Sequence, residues 1–232
     1  MMFETNTASC AGFPGLSDSF GAALWGIDWA MTMVANGFSM ALFHVGGKNA
    51  YYNPFTPPPT NQTKYGVQWT VGPIYYSALA MAEALGPKNQ SQVSDITQDI
   101  NTPMYAIFEN GVPTKVALFN FVTDPSGAST YTAVISVGGG TTGQSNATPS
   151  SVKVKYVLIW PVKGRNPQPT LSVPQISLGR IRIIQRRLHL GRAGKFAFPH
   201  FGPTPPFPPF FCLATSCSLR ARIHAYFPHN RR

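Results

Sequence analysis

Beyond Asp124 the sequence contains no acidic residue, and before Arg165 it contains no arginine. Up to that tail six Lys stand against eight acids, a charge of −2. From Lys163 onward two Lys and ten Arg stand without one carboxylate, a charge of +12. The net charge of +10 and the pI near 9.8 therefore belong to the tail and say nothing about the rest of the chain. Cysteine is scarce and odd in number (Cys10, Cys212, Cys217), so no disulfide framework is implied. No uninterrupted apolar run reaches the roughly 20 residues that a membrane span needs. The nearest, Phe20 to Val45, holds Asp28 inside it and is broken by Asn36-Gly37. No signal peptide opens the chain, as expected of one that begins on a strand of a domain.

What is present begins with a short apolar entry, Met1-Met2-Phe3, followed by Glu4. A polar loop with Gly and Pro runs from Thr5 to Gly15. Ser17 is placed to cap a helix, with Asp18 favourable beside its free amides. Phe20, Ala23, Leu24, Ile27, Met31 and Val34 recur at helical spacing, and Asn36-Gly37 is a stop. The order is strand end, carboxylate, loop, helix. In a β/α barrel the C-terminal strand ends face the active site, so Glu4 is a candidate catalytic group. A solvated surface charge is the commoner reading of such a Glu taken alone.

Phe38 to Val45 reads as a buried parallel strand ending at Gly46-Gly47, where the backbone can pass close to a ligand. The loop from Lys48 to Gln68 holds Tyr51, Tyr52 and three consecutive prolines. Loops of this length in compact domains are mostly functional or disordered. Tyrosines suit sugar binding, and they equally suit a surface loop packed on itself. Pro73 opens a helix to Leu85, and Gly86-Pro87 stops it. Met104–Glu109 and Val112–Val122 flank Asn110-Gly111, a strong hairpin signal. Tyr131–Val137 and Val152–Leu158 alternate as further strands, and several strands on short turns suggest an antiparallel β-sandwich.

The stretch from Glu4 to Phe20 resembles the nucleophile segment of glycoside hydrolase family 79, which includes β-glucuronidases and heparanase. The shared pattern is a Glu-Thr pair, a small-residue loop with glycines, then Leu16-Ser17-Asp18-Ser19-Phe20 opening a helix. His44-Val45-Gly46-Gly47, Tyr51-Tyr52-Asn53-Pro54-Phe55 and Trp69-Thr70-Val71-Gly72-Pro73 are similar to the fungal secreted branch. The resemblance extends over about residues 3 to 160. It implies the C-terminal remnant of a (β/α)8 TIM barrel (1–87), a partial antiparallel β-sandwich (88–162), and a disordered or unrelated basic tail (163–232).

The resemblance also implies chemistry. Retaining glycosidases use two carboxyl groups about 5–5.5 Å apart, one as nucleophile and one as acid/base. Glu4 matches the nucleophile. The acid/base of the family sits in an Asn-Glu pair on an earlier strand, and this sequence contains no Asn-Glu. The chain by itself is thus expected to be inactive. Relatives hold the uronate carboxylate through a Tyr and backbone amides after the nucleophile. Here Ser9 stands for that Tyr and Ala11 for a Gly, leaving the amides near Ala11 and Gly12. Tyr51 or Tyr52 is expected to reach sugar hydroxyls. His44 is expected either to line the pocket or to be a satisfied core residue. Glu83 and Glu109 read as structural or solvated charges. The implied partner is a glucuronic-acid-containing glycan, with no cofactor, no membrane and no specific nucleic acid.

Three acceptor sequences for N-glycosylation, at Asn61, Asn89 and Asn146, lean towards a secreted parent protein. The tail carries Arg-rich and Pro/Phe-rich stretches that cannot easily build a core, hence the expectation of disorder. Cys212, Cys217, His224 and His229 have metal-ligand residue types. Only six residues separate the two pairs, where zinc fingers usually have about twelve, so no metal site is expected. The alternative to an enzyme fragment is a non-catalytic carbohydrate- or polyanion-binding module. A polyanion-binding module has no use for a carboxylate at a strand tip.

Overall fold

The computed structural model describes residues 1–58, 69–97, 99–122, 134–138, 145, 146, 149, 151–160, 180–189, 210–215 and 223–226. The chain is mixed α/β and divides into two compact units. One comprises Met1–Glu83 with Val157–Arg182, the other Ala84–Tyr156 with Ile183–Arg232.

The first unit opens with strand β1 (Met2–Thr5), which leads through a loop into helix α1 (Phe20–Ala35). The N-cap is Ser19, whose hydroxyl accepts from the Ala22 amide at 3.4 Å. Ser17, expected in that role, is instead buried in the preceding loop, and Asp18 accepts from the Gly15 amide. At the other end Gly37 takes φ +81°, the Gly37 amide donates to Val34 O and the Phe38 amide to Met33 O. This is the Schellman closure, and a left-handed residue is what makes glycine suit it. Phe20, Ala23, Leu24, Ile27 and Met31 form the buried stripe, while Val34 is only half-buried.

The chain returns as β2 (Ala41–Phe43), parallel to β1 with Met2 opposite Ala41 and Thr5 opposite Phe43. Trp25 of α1 meets Phe43 edge-on at 6.1 Å and stacks beside Trp29, seating the helix on the pair. The strand is parallel as expected but not buried: Leu42, His44 and Val45 are exposed. A short hairpin follows, β3 (Phe55–Thr56) against β4 (Thr70–Val71), then helix α2 (Pro73–Leu85). Helices α1 and α2 cross at a small-residue contact. Ser77 donates from its hydroxyl to Ala23 O at 2.7 Å, and a Cβ on Gly26 would lie 2.6 Å from that hydroxyl.

The second unit is antiparallel β wherever register is defined. β5 (Ser91–Thr97), β6 (Met104–Glu109) and β7 (Val112–Asn120) are consecutive neighbours, and β6 turns into β7 through Asn110 and Gly111 at φ +54° and +73°. Both central residues left-handed is the hairpin geometry that Asn-Gly favours. Met104 to Ile107 and Val116 to Asn120 are buried without alternation, as in strands covered on both faces. Strands β8 (Val134–Val137), β9 (Ser151–Trp160), β10 (Arg180–His189), β11 (Phe210–Thr215) and β12 (Ile223–Tyr226) complete the described elements. One sheet runs β10-β9-β11-β7-β6-β5 and a second pairs β12 with β8.

Three of these strands, β10, β11 and β12, fall where composition implied disorder. The physical reason is window length. Charge and proline content averaged over the whole tail conceal segments of four to ten residues such as Ile181 to Ile184 and Phe210 to Leu213, which are rich in β-branched, aromatic and aliphatic residues. Cys212 and His224 lie on β11 and β12, strands of different sheets, while Cys217 and His229 lie outside the described residues. Among the described residues no helix is long and apolar enough to cross a membrane.

The α1–α2 contact makes Gly26→Ala a decisive substitution. Helix propensity alone favours Ala by about 1 kcal/mol, whereas forcing a methyl into a filled contact costs about 1–3 kcal/mol. Ser77 cannot swing aside without losing its bond to Ala23, so the clash is expected to win. Urea unfolding should show a lowered midpoint; a raised midpoint would show that the helices separate freely there.

In the β6–β7 hairpin, Lys115 hydrogen-bonds Glu109 at 2.5 Å and holds its carboxyl below the usual range. Slight burial opposes this, and the Lys115 and Lys88 charges reinforce it. A depressed carboxylate stabilises the fold above its unfolded pKa, and that contribution is lost as pH falls through the folded value. In Lys115→Met the Glu109 titration midpoint, followed by carboxyl NMR, should move up, and stability should fall less steeply on acidification. An unmoved midpoint would mean the pair does not persist in solution.

Candidate active site

The parallel pairing brings the segments after β1 and β2 side by side. The His44 amide donates to Thr5 O at 3.0 Å, and the Asn6 side-chain amide donates to His44 O at 2.9 Å. Asn6 also accepts from the Thr7 amide at 2.8 Å. Glu4 is the penultimate residue of β1 and is exposed. Its place in the ladder is irregular. Between the pairs Met2–Ala41 and Thr5–Phe43, two residues of β1, Phe3 and Glu4, face the single Leu42 of β2. Such a bulge re-aims side chains and is over-represented beside active sites. No Gly or Pro marks it in the sequence.

The loop from Asn6 to Ser19 is held from within by Ser17, which is fully buried. The Ser17 hydroxyl accepts from the Thr7 hydroxyl at 2.7 Å and from the Phe13 amide at 3.1 Å. Gly12, at φ +76°, approaches so closely that a Cβ there would lie 2.5 Å from that hydroxyl and 3.0 Å from the Tyr52 ring. Cys10 and Ala11 are also left-handed, at φ +53° and +73°. Each such non-Gly residue costs roughly 1–2 kcal/mol, so the surrounding contacts must over-determine this turn.

The facing loop, after β2, is organised by two buried residues. Tyr52, 3% exposed, places its hydroxyl 2.8 Å from His44 Nδ1 with the rings edge to face. Asn53, equally buried, accepts from the Gly46 amide at 2.9 Å and donates to the carbonyls of Gly46 and Gly47. The two loops are joined where the Tyr51 amide donates to Ala11 O at 2.8 Å.

The expected site residues thus separate. Glu4, His44, Ala11 and Gly12 lie on these two joined loops and strand ends, and Ser9 is exposed on the first of them. Tyr51 is open to solvent while Tyr52 is not, so the two tyrosines are not interchangeable sugar contacts. The Gly12 amide, expected to be available to a carboxylate, donates to Ser9 O at 3.0 Å. Asp18, the other carboxylate of the first loop, is engaged with the Gly15 amide at 2.6 Å. Glu83 lies on α2 and Glu109 in its hairpin ion pair. Asn53 and Ser17 as organisers were not foreseen, because their partners are backbone groups brought up by folding rather than by any motif.

No family model matches the chain. A β-glucuronidase of Aspergillus niger is 33% identical over 126 residues, covering 51% of this chain and 21% of that protein. A β-glucuronidase of Neurospora crassa is 40% identical over 88 residues, covering 38% of this chain and 15% of that protein. The chain resembles fungal β-glucuronidases. It spans about a fifth or less of the length of these relatives. The crystal structure of a 4-O-α-L-rhamnosyl-β-D-glucuronidase from Fusarium oxysporum 12S, a complex with Rha-GlcA, superposes with a TM-score of 0.57 over 92% of this chain and 42% of that one, at 19% identity. That likeness is one of fold. The similarity to the glucuronidases agrees with the resemblance carried by Glu4 to Phe20.

Removing the Ser17 hydroxyl tests how far this loop depends on it. Ser17→Ala leaves the part-buried Phe13 amide without its acceptor, a loss of about 0.5–1.5 kcal/mol. Amide hydrogen exchange at Phe13 should accelerate and global stability should fall by that order. Unchanged protection at Phe13 would remove Ser17 from its organising role.

Proposed function

We propose that this chain is the part of a retaining β-glucuronidase that carries the nucleophile, Glu4. The observation that supports this best is an exposed carboxylate at the bulged C-terminal end of β1, beside His44 at the end of a parallel neighbour. In this reading Glu4 attacks the anomeric carbon of a β-glucuronide as the leaving oxygen takes a proton from an acid/base. Water then attacks the glycosyl ester, its proton returning to that same group. The other described carboxylates lie on α1 and α2, on β5 and its following turn, in the β6–β7 hairpin or against Gly15. The acid/base therefore comes from outside the described residues, on the earlier Asn-Glu strand that the family resemblance implies. His44, fixed by Tyr52 and Asn6, lines the pocket on the side of β2.

The same reading takes β1-α1-β2 with α2 as the last strands and helices of a (β/α)8 barrel and the antiparallel sheets as a β-sandwich. Secretion of the parent protein fits the exposed positions of Asn89 and Asn146; Asn61 lies outside the described residues. For the uronate carboxylate, Ser9 offers a shorter reach than a phenol, and the Gly12 amide is already engaged. A modest preference for glucuronides over neutral glycosides follows.

The test is a chimera in which the portion of the Aspergillus niger β-glucuronidase preceding the matched region is joined to this chain. Turnover of an aryl β-glucuronide should fall by about a thousandfold or more in Glu4→Gln, with the fold unchanged. A 2-deoxy-2-fluoro-glucuronyl fluoride should label the peptide containing Glu4 in the parent chimera and leave the Gln variant unlabelled. Near-normal activity of Glu4→Gln, or a label on another residue, would overturn the assignment.

A further inference from the structure

The turn from the end of α2 into β5 closes around a left-handed asparagine. Gly86 takes φ +69° and Asn89 φ +51°. Asparagine is among the few residues that accept this conformation readily. The Ser91 hydroxyl donates to Leu85 O and fastens the turn, leaving Pro87, Lys88, Asn89 and Gln90 exposed. Asn89-Gln90-Ser91 is also one of the three acceptor sequences for N-glycosylation. The fold treats the three differently. Asn61 lies outside the described residues, and Asn146 is exposed but engaged in an interaction. Asn89 stands at the outside of its turn, and among the described residues its side chain has no hydrogen-bond partner.

What Asn89 stands beside is an open sheet edge. β5 ends the six-stranded sheet, with β6 on one side and no strand on the other among the described residues. Such an edge offers unpaired amides and carbonyls to any extended chain, and lysines, prolines or bulges are the usual protection. β5 holds neither Lys nor Pro, and its bulge lies at the far end, between Asp95 and Thr97. The near half, Ser91 to Ser94, pairs with β6 in regular register and carries no charge. Gln92 and Ser94 on it are exposed. These four residues of strand span only about 10 Å, and they begin two positions after Asn89. A bulky, hydrated glycan on Asn89 covers that length and is too large to be packed against by a second strand.

We infer that Asn89 is an N-glycosylation site whose glycan shields the open edge of β5. The inference rests on the reading that the parent protein is secreted. In the modification, Asn89 Nδ2 attacks the anomeric carbon of an oligosaccharide carried on a lipid pyrophosphate. The carbon–nitrogen bond forms, the bond from that carbon to the pyrophosphate oxygen breaks, the lipid pyrophosphate leaves, and Nδ2 gives up a proton. The test is this chain behind a secretion leader in yeast. The leader supplies the route, so an empty Asn89 overturns the site whatever the destination of the parent. Peptide mapping after peptide-N-glycosidase treatment in heavy-oxygen water should find labelled Asp at position 89. Translation with rough microsomes should show the same glycan as a gel shift without requiring secretion. Asn89→Gly should lose that modification and keep the fold, because glycine takes φ +51° without strain. Light scattering should show Asn89→Gly self-associating several-fold faster than the glycosylated chain. Adding Ser94→Lys, a charge on the bare edge, should slow it again. An unmodified Asn89, equal self-association with and without the glycan, or no rescue by Ser94→Lys would overturn the inference.

Discussion

The candidate site depends on the parallel pairing of β1 with β2. Met2 and His44 each donate a backbone amide across the pair, to Met40 O and Thr5 O, and those bonds bring together segments about forty residues apart. A parallel pair cannot be closed by a tight turn; it needs a long crossover. Helix α1 is that crossover, and Trp25 against Phe43 seats it. The strand-end carboxylate, the His44 backbone and the two loops all take their positions from this arrangement. The bulge opposite Leu42 then alters where Glu4 stands in the ladder.

Around that pairing the structure relies on buried polar side chains bonded to backbone. Ser17 serves the loop after β1 and Asn53 the loop after β2, each with more than one hydrogen bond. A buried polar group is costly unless satisfied, so each of these residues ties its loop to one geometry. Gly12 and Gly46 are needed because a Cβ at either would overlap a neighbour, Ser17 in one case and Ala50 in the other. The left-handed turn at Cys10 and Ala11 is the strain that this network sustains.

Much of the frame was legible beforehand. The helical stripe from Phe20 to Met31, the stop at Asn36-Gly37, the Pro73 helix start and the Asn110-Gly111 hairpin all rest on local periodicity or φ preference. The misreadings share a different cause. Ser17 and Ser19 both look like caps, and which one caps depends on where the loop packs. The strand after Gly37 looked buried because its residues are apolar, yet burial depends on what covers it. Tyr51 and Tyr52 are adjacent and chemically alike, and only the approach of His44 and Gly12 distinguishes them.

The sequence by itself determined the strand-helix-strand order at the start of the chain, the Pro73 helix, the turn chemistry, the division of charge between the near-neutral part and the basic tail, and the resemblance that marks Glu4. These follow from residue type and short-range spacing, which the chain carries in any conformation. The tertiary structure alone decided the bulge at Phe3-Glu4, the hydroxyl and amide partners of Ser17 and Asn53, the capture of His44 by Tyr52, and the place of β5 at the end of its sheet. Each depends on which segments fold against one another. None leaves a periodic trace, because a single hydrogen bond or a single strand neighbour has no repeat to read.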